Sequence, residues 1–271
     1  MDIFDVKDKV IVITGAGGVL CSEMARQFAA RGAKVALLDI IEENVAKVAE
    51  AIKEQSGEAI TVKVDVLNKE SLMSARQKVI DEYGRVDVLI NGAGGNKKDA
   101  TTSEEISFFN LSEESIKWVL NLNLLGTIMT CQVFGETMLK NESASIINIS
   151  SMAAITPLTK TISYSAAKAG VSNFTQWLAV HLNQNYSEKL RVNAIAPGFL
   201  LTEQNRYLLT DKETGRETER GKKIKDNTPM NRYGRPEELI GAVIWLASGA
   251  SSFVNGAIIP IDGGFAAYSG V

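Results

Sequence analysis

The chain has 271 residues, 45% hydrophobic and 23% charged, a balance that suits a globular protein with a sizeable core. A formal net charge of −3 argues against a nucleic-acid partner, which needs a basic face, and a single histidine, His181, excludes a His-rich metal site. The two cysteines, Cys21 and Cys131, make no disulfide framework, the start MDIFDVKDKV is no signal segment, and no apolar run approaches the roughly 20 residues of a bilayer span, so a cytoplasmic chain without a membrane partner is expected.

Short apolar runs alternate with helix-length segments. Lys9–Thr14 (KVIVIT) predicts a first strand, Leu20–Arg31 a helix, Lys34–Asp39 (KVALLD) a strand and Glu42–Gln55 an amphipathic helix. Ala59–Val66 follows as a strand, Lys69–Tyr83 as a helix and Val86–Asn91 as a strand. Ser112–Lys140 can hold one long helix. Ser145–Ser151 reads as a strand, Tyr164–Asn185 as a helix and Leu190–Ala196 as a strand. Pro236–Ala247 is a helix with proline at its start, where the missing N–H costs nothing, and Gly256–Ile261 is the last strand. Val-, Ile- and Leu-rich strands without alternation are buried on both faces, and strands alternating with helices give a parallel sheet. The expected fold is α/β: one Rossmann-type, doubly wound sheet of about seven strands in a single domain spanning residues 1–271. Two polar stretches are too long for tight connections. Gly95–Leu111 is read as a substrate-side loop and 200–231 as a substrate lid, both leaving the carboxyl edge where such sheets bind ligands.

Thr14–Cys21 reads TGAGGVLC between the first strand and the first helix. Gly15, Gly17 and Gly18, followed by Val19 and Leu20, offer a close backbone approach and a helix N-terminus to a pyrophosphate. Asp39 ends the second strand, with Ile40 beside it. A carboxylate there hydrogen-bonds the adenosine ribose and repels a 2′-phosphate, and Gly15–Leu20 carries no Arg or Lys to offset that repulsion, so NAD is the expected cofactor. Asp65, next to Val66, can accept from the adenine amino group. Asn91, Gly92, Ala93 and Gly94 (NGAG) end the fourth strand, with glycines that let a cofactor pass.

Tyr164 and Lys168 are four apart on a helix and share a face, and Ser151 ends the preceding strand. A free phenol has a pKa near ~10, and an ammonium beside it favours the phenolate, so the pair suits a general acid/base. Ser151 can hold a substrate oxygen.

These residues together resemble the short-chain dehydrogenase/reductase family across essentially the whole chain. The resemblance rests on TGAGGVLC, Asp39, Asp65, NGAG, NLLG at Asn123–Gly126, Ser151, Tyr164-x-x-x-Lys168 and Pro197-Gly198. It implies a catalytic set of Asn123, Ser151, Tyr164 and Lys168, in which the asparagine holds a proton-relaying water and the lysine also holds the nicotinamide ribose. It further implies that Pro197 and Gly198 lie against the nicotinamide, that Thr202 binds its carboxamide, and that the protein is a homotetramer. The loop departs from the family pattern TGxxxGxG: Val19 and Cys21 stand where glycines are expected. Valine narrows the approach to the pyrophosphate, and a cysteine pushes the helix away from the strand.

Finer stretches are similar to the D-mannonate oxidoreductase (fructuronate reductase) subgroup: ITGAGGVL, LINGAGGN, NLNLLGT, ITPLTK, NFTQWLAVH, APGFLLTEQNR, TPMNRYGRPEEL and DGGFAAYSGV. They imply interconversion of D-fructuronate and D-mannonate. A sugar acid needs a cation for its carboxylate and amides for its hydroxyls. Asn96, Lys160, Asn205 and Arg206 are the expected substrate contacts, with Ser151 and Tyr164 at the reacting oxygen. Trp177 and Trp245 lie in apolar helix faces and are expected in the core. Another polyol or keto-sugar substrate, as for gluconate 5-dehydrogenase, and a non-catalytic NAD(H) sensor remain the alternatives.

Overall fold

The computed structural model describes residues 2–202, 209–211 and 215–270. Seven strands form one parallel sheet in the order β3-β2-β1-β4-β5-β6-β7: β1 Val10–Thr14, β2 Lys34–Asp39, β3 Glu58–Lys63, β4 Val88–Asn91, β5 Ala144–Ile149, β6 Leu190–Pro197 and β7 Ile258–Ile261. The register is continuous from Thr14 opposite Leu38 to Pro197 opposite Ile261. Strand order reverses between β1 and β4, and the carboxyl ends of these two strands frame the crevice where such sheets take ligands.

β1, β4, β5 and β6 are buried along their whole length because helices cover both faces. Edge strand β3 differs from the expected double burial: only Ala59 and Val62 are buried, one in the core of each face, and the other residues are half-buried or exposed because the strand has a neighbour on one side only. It also ends at Lys63, before the expected Val66. On one face, helices α1 (Val19–Ala29), α2 (Glu42–Glu54) and the later helix Ile240–Ala247 pack Met24, Phe28, Val45, Ile52 and Val243 onto Ile11, Ile13, Val35 and Leu37. On the other, α3 (Lys69–Tyr83), α5 (Gly126–Met138) and α6 (Ile162–Asn185) bring Leu72, Val79, Phe134, Met138 and Leu178 against Val12, Leu38, Leu89 and Ile146.

The expected long helix 112–140 is three pieces: α4 (Glu113–Leu120), a π-helical turn (Asn121–Leu125) and α5. The interruption has a local cause. Asn123 is fully buried, and its Nδ2 donates to Val119 O at 2.8 Å and to Gly95 O at 2.7 Å, so the extra residue of the π turn serves the loop above. Glu113–Met138 is long and apolar enough by composition to cross a membrane, with a mean hydropathy of 1.2, but half of its apolar stretch is buried in the molecule. It is a core helix pair.

The expected lid is not all loop. It contains α7 (Glu219–Asp226), N-capped by Thr218, whose hydroxyl accepts from Gly221 N–H at 3.0 Å. Its roots are tied together: Leu201 N–H donates to Gly234 O and Gly234 N–H to Phe199 O. The helix expected at 236–247 starts with a 3-10 turn, Pro236–Leu239, before α8, Ile240–Ala247. Trp245 is partly buried against the core, as expected. Trp177 is not in the core. It is 56% exposed and stacks on the His181 ring at 4.6 Å, because it sits on the outer face of α6.

Candidate active site

The carboxyl ends of β1, β2 and β4 bound a cavity of about 420 Å³ lined by Gly15, Gly17, Asp39, Ile40, Asp65, Val66 and Gly94, with Ala93 and Trp118. A second cavity of about 390 Å³ shares Gly15, Gly18 and Gly92 with it and continues to Val19, Leu20, Ser151, Tyr164, Pro197, Gly198 and Thr202. The two form one elongated cleft over the sheet edge, with a carboxylate at one end and a phenol at the other.

The glycines are required by neighbours within the chain. Gly15 has φ +66°, and a Cβ there would come within 2.8 Å of Ala93 N. At Gly17 a Cβ would meet Asn44 Cβ at 2.6 Å and the Asp39 carboxylate at 3.1 Å. Gly17 N–H donates to Asp39 Oδ2 at 3.0 Å, and Ile41 N–H donates to Oδ1. These bonds orient the carboxylate at the cleft floor. Gly18 caps α1 without a side-chain acceptor, and no acidic residue stands in the first turn. The free N–H groups there keep their positive end for an anion. Asn44 and Trp118 also line this end, and sequence reasoning missed both. Asn44 is hidden by its place in an amphipathic helix, and Trp118 reaches the cleft from a distant one.

The departure at Cys21 has a steric counterpart. An ideal Cβ on Gly92 would lie 2.1 Å from Cys21 Sγ. Gly92 leaves the space that the thiol fills, so α1 is not pushed off the sheet as expected. Thr14 completes the junction, its hydroxyl accepting from Gly92 and Ala93 N–H at 3.2 and 3.3 Å. Burial pushes the Cys21 thiol up to about 12, so it is inert filling rather than a nucleophile.

Three further placements differ from expectation. The Asn91 side chain turns beneath the cleft, where Nδ2 donates to Asn148 Oδ1 at 2.8 Å and Asn148 Nδ2 donates to Thr175 Oγ1. Asp65 lies beyond the end of β3 and not within it, but it still lines the first cavity, with Oδ1 accepting from Leu67 N–H. The Asn96 amide is spent on its own loop, donating to Thr101 Oγ1 and accepting from Lys97 N–H, because the chain turns there. Asn205 and Arg206 lie outside the described residues.

At the other end, α6 carries Tyr164 and Lys168 on one face. Lys168 is buried and its Nζ donates to Ile149 O at 2.7 Å, 5.6 Å from the centroid of the Tyr164 ring. Burial lowers its ammonium to about 8. Ser151 caps a 3-10 turn, its Oγ accepting from Ala153 N–H at 3.1 Å. Tyr164 departs from the expected direction. Burial pushes its hydroxyl up from the ordinary value, and the hydrogen bond to Ser151 pulls it only partway back, so desolvation dominates. Asn123 does not point its side chain into the cleft. Its Oδ1 accepts from Gly95 N–H at 3.2 Å and lies 2.6 Å from where a Gly94 Cβ would be, so it braces the glycine loop. Gly198 is also needed by the packing, since a Cβ there would approach Asp262 Cα to 2.6 Å.

The sequence profile described as enoyl-(acyl carrier protein) reductase matches residues 15–266. The chain belongs to the short-chain dehydrogenase/reductase family. It is 49% identical over 278 residues to an uncharacterized oxidoreductase of Haemophilus influenzae, covering 98% of this chain and 96% of that protein. The uncharacterized oxidoreductase UxuB of Bacillus subtilis is 48% identical over 272 residues, covering 97% and 96%. A crystal structure of a proposed D-mannonate oxidoreductase from Haemophilus influenzae, with bound NAD, aligns with a TM-score of 0.94 at 49% identity and 98% coverage of both chains.

At the phenol end, Phe199 borders both the cleft of this short-chain dehydrogenase and a third cavity of about 570 Å³. Its walls are the loop before α6, including Thr156 and Lys160, the helix α7, and Phe265, whose ring meets Phe199 edge-on at 5.2 Å. Of the substrate residues expected outside the catalytic set, Lys160 is the one that the described structure brings to the cleft.

Proposed function

We propose that this chain is an NAD-dependent oxidoreductase that reduces the ketone of D-fructuronate to D-mannonate and catalyses the reverse reaction, with Tyr164 as proton donor and acceptor. The observation that carries the reading is the joining of Asp39, the glycine loop, Ser151 and Tyr164 along one cleft, with Lys168 buried beside the phenol ring. The cleft fits a dinucleotide. Gly15, Gly18 and Gly94 line it with bare backbone, α1 presents an uncapped N-terminus, and the negative Asp39 disfavours a 2′-phosphate. The bound NAD of the Haemophilus influenzae structure supports the same choice.

When bound, the nicotinamide supplies the hydride to the carbonyl carbon or takes it back. Ser151 Oγ, positioned by its 3-10 turn, donates to the ketone oxygen and holds it in reach of the phenol. Tyr164 stays protonated through burial, so in the reducing direction it delivers its proton to that oxygen as the alcohol forms. The Lys168 ammonium, beside the ring, favours the phenolate that is left. Asn123 keeps the Gly94–Gly95 backbone in place through its bonds to Gly95. Residues 200–231 act as the substrate lid, a role supported by the tied roots at Leu201 and Gly234 and by α7 over the third cavity.

The sugar-acid assignment is supported by the 49% identity to the proposed D-mannonate oxidoreductase and by the cation Lys160 on the third cavity. Lys160 meets the substrate carboxylate in this reading. The homotetramer belongs to the same reading, and the exposed aromatic face of α6 around Trp177 supports it. A screen of NADH oxidation over hexuronates, keto-gluconates and neutral ketoses tests the assignment. D-Fructuronate is expected to have the highest kcat/KM, and a keto-gluconate or neutral ketose in first place would overturn it.

A further inference from the structure

Within the expected lid, α7 carries cations toward the third cavity. Three features seat α7. Thr218 caps it, Ile224 is buried beneath it, and Gly221 lets it approach closely, since a Cβ there would lie 2.3 Å from Leu209 O and 2.6 Å from Tyr233 Oη. So seated, α7 turns the stripe Arg220, Lys223, Ile224 and Asn227 toward the third cavity, the spacing of one helix face.

The cations on this cavity are not equivalent. Lys223 Nζ lies 2.7 Å from Glu219 Oε1, and these two charges cancel. Lys223 chiefly, and Lys160 more weakly, hold the Glu219 carboxyl below its ordinary range. The Arg220 side chain has no hydrogen bond or ion pair among the described residues, and outside its backbone Lys160 makes none either, its carbonyl accepting from Thr102. With Glu219 and Lys223 paired, the wall keeps Arg220 and Lys160 against the single carboxylate of Glu104.

In D-fructuronate the carboxylate stands four carbon–carbon bonds from the ketone carbon. With the ketone oxygen at Ser151 and Tyr164, that carboxylate leaves the reacting end of the cleft. Phe199 borders both this end and the cavity that bears the two cations. We propose that Arg220 binds the carboxylate of the substrate, its guanidinium providing the two-pronged contact while Lys160 supplies a second charge. The inference rests on the sugar-acid reading and adds to it the residue that selects for charge.

The test is steady-state kinetics with NADH on D-fructuronate and on D-fructose, which has the ketone without the carboxylate. Arg220→Ala should raise KM for D-fructuronate by about 5- to 10-fold, the low end for a charged hydrogen bond because the guanidinium remains solvent-exposed. Turnover of D-fructuronate and both constants for D-fructose should change by less than about twofold, as expected when uniform binding alone is lost. Arg220→Lys should recover part of the KM. NADH affinity, read by fluorescence, should match the unaltered enzyme and so report an intact fold. An unchanged KM for D-fructuronate, or an equal rise for both sugars, would overturn the role of Arg220 and leave the sugar-acid reading standing. If the unaltered enzyme uses D-fructose as well as D-fructuronate, the sugar-acid reading itself falls.

Discussion

Replacing Gly92 with alanine drives a methyl group into Cys21. The new Cβ would lie 2.1 Å from the sulfur and 2.9 Å from Thr14 O, a backbone atom of β1 that cannot turn away. Forced overpacking in a close-packed site costs about 1–3 kcal/mol, and the fixed carbonyl puts this case near the upper end, at about 3 kcal/mol. Cys21→Ala removes one buried atom and should cost about 1 kcal/mol, as for a lost methyl group. Independent effects would sum to about 4 kcal/mol. In the double variant the sulfur is gone, and the nearest remaining atom of residue 21 is its Cβ, at an ordinary 3.7 Å, although the approach to Thr14 O persists. The double variant should therefore lose only about 2 kcal/mol, a coupling of about 2 kcal/mol. Urea unfolding of all four proteins, with m held constant, measures the cycle. Both residues also border the cleft, so NADH affinity should fall with Gly92→Ala and recover in the double variant. Additivity of the two single costs to within about 0.5 kcal/mol would refute the account of Cys21 and Gly92 as a size-matched pair.

Tyr164→Phe should reduce kcat by about 10²- to 10⁴-fold while NADH still binds, since the ring remains and only the proton is lost; near-normal turnover would remove the mechanism. Asp39→Ala with Ile40→Arg should move preference from NADH toward NADPH in paired kcat/KM measurements, and an unaltered protein that favours NADPH would contradict the role given to Asp39. Lys168 makes stability depend on pH. Its folded value is about 8 against an ordinary 10.5, so between these the unfolded chain binds more protons and this residue's contribution to stability rises with pH. The thiols of Cys21 and Cys131, pushed up to about 12, act in the opposite direction above their ordinary 9.0. The quantity to measure is thus the stability of the unaltered protein minus that of Lys168→Met, which should climb from pH 8 to pH 10.5; a flat difference would show that burial does not discharge the lysine.

Local pattern determined most of the architecture. The unbroken apolar runs of β1, β2, β4, β5 and β6 and the period of the helices between them specify a parallel sheet covered on both faces, because burial of backbone and apolar area leaves few other arrangements. Helical spacing also put Tyr164 and Lys168 on one face, and the strand-end position of Asp39 placed its carboxylate at the cleft. The tertiary structure decided what depends on neighbours distant in sequence. Cys21 departs from the expected glycine, and Gly92, just past the end of β4, makes its space. Asn91 and Asn96 carry the chemistry of ligand contacts, but one is consumed by Asn148 beneath the sheet edge and the other by its own loop. Asn123 breaks a continuous helical pattern because its amide bonds to Gly95, a partner no helical period can announce. Trp177 has the spacing of a core residue and lies outside, since α6 turns that face to solvent. Arg220 sits in a polar run that reads as loop, and only the cap at Thr218 and the close approach of Gly221 to Leu209 turn it toward the substrate cavity. Periodicity records which side of an element is apolar, whereas a polar side chain's partner is set by which distant backbone folds against it.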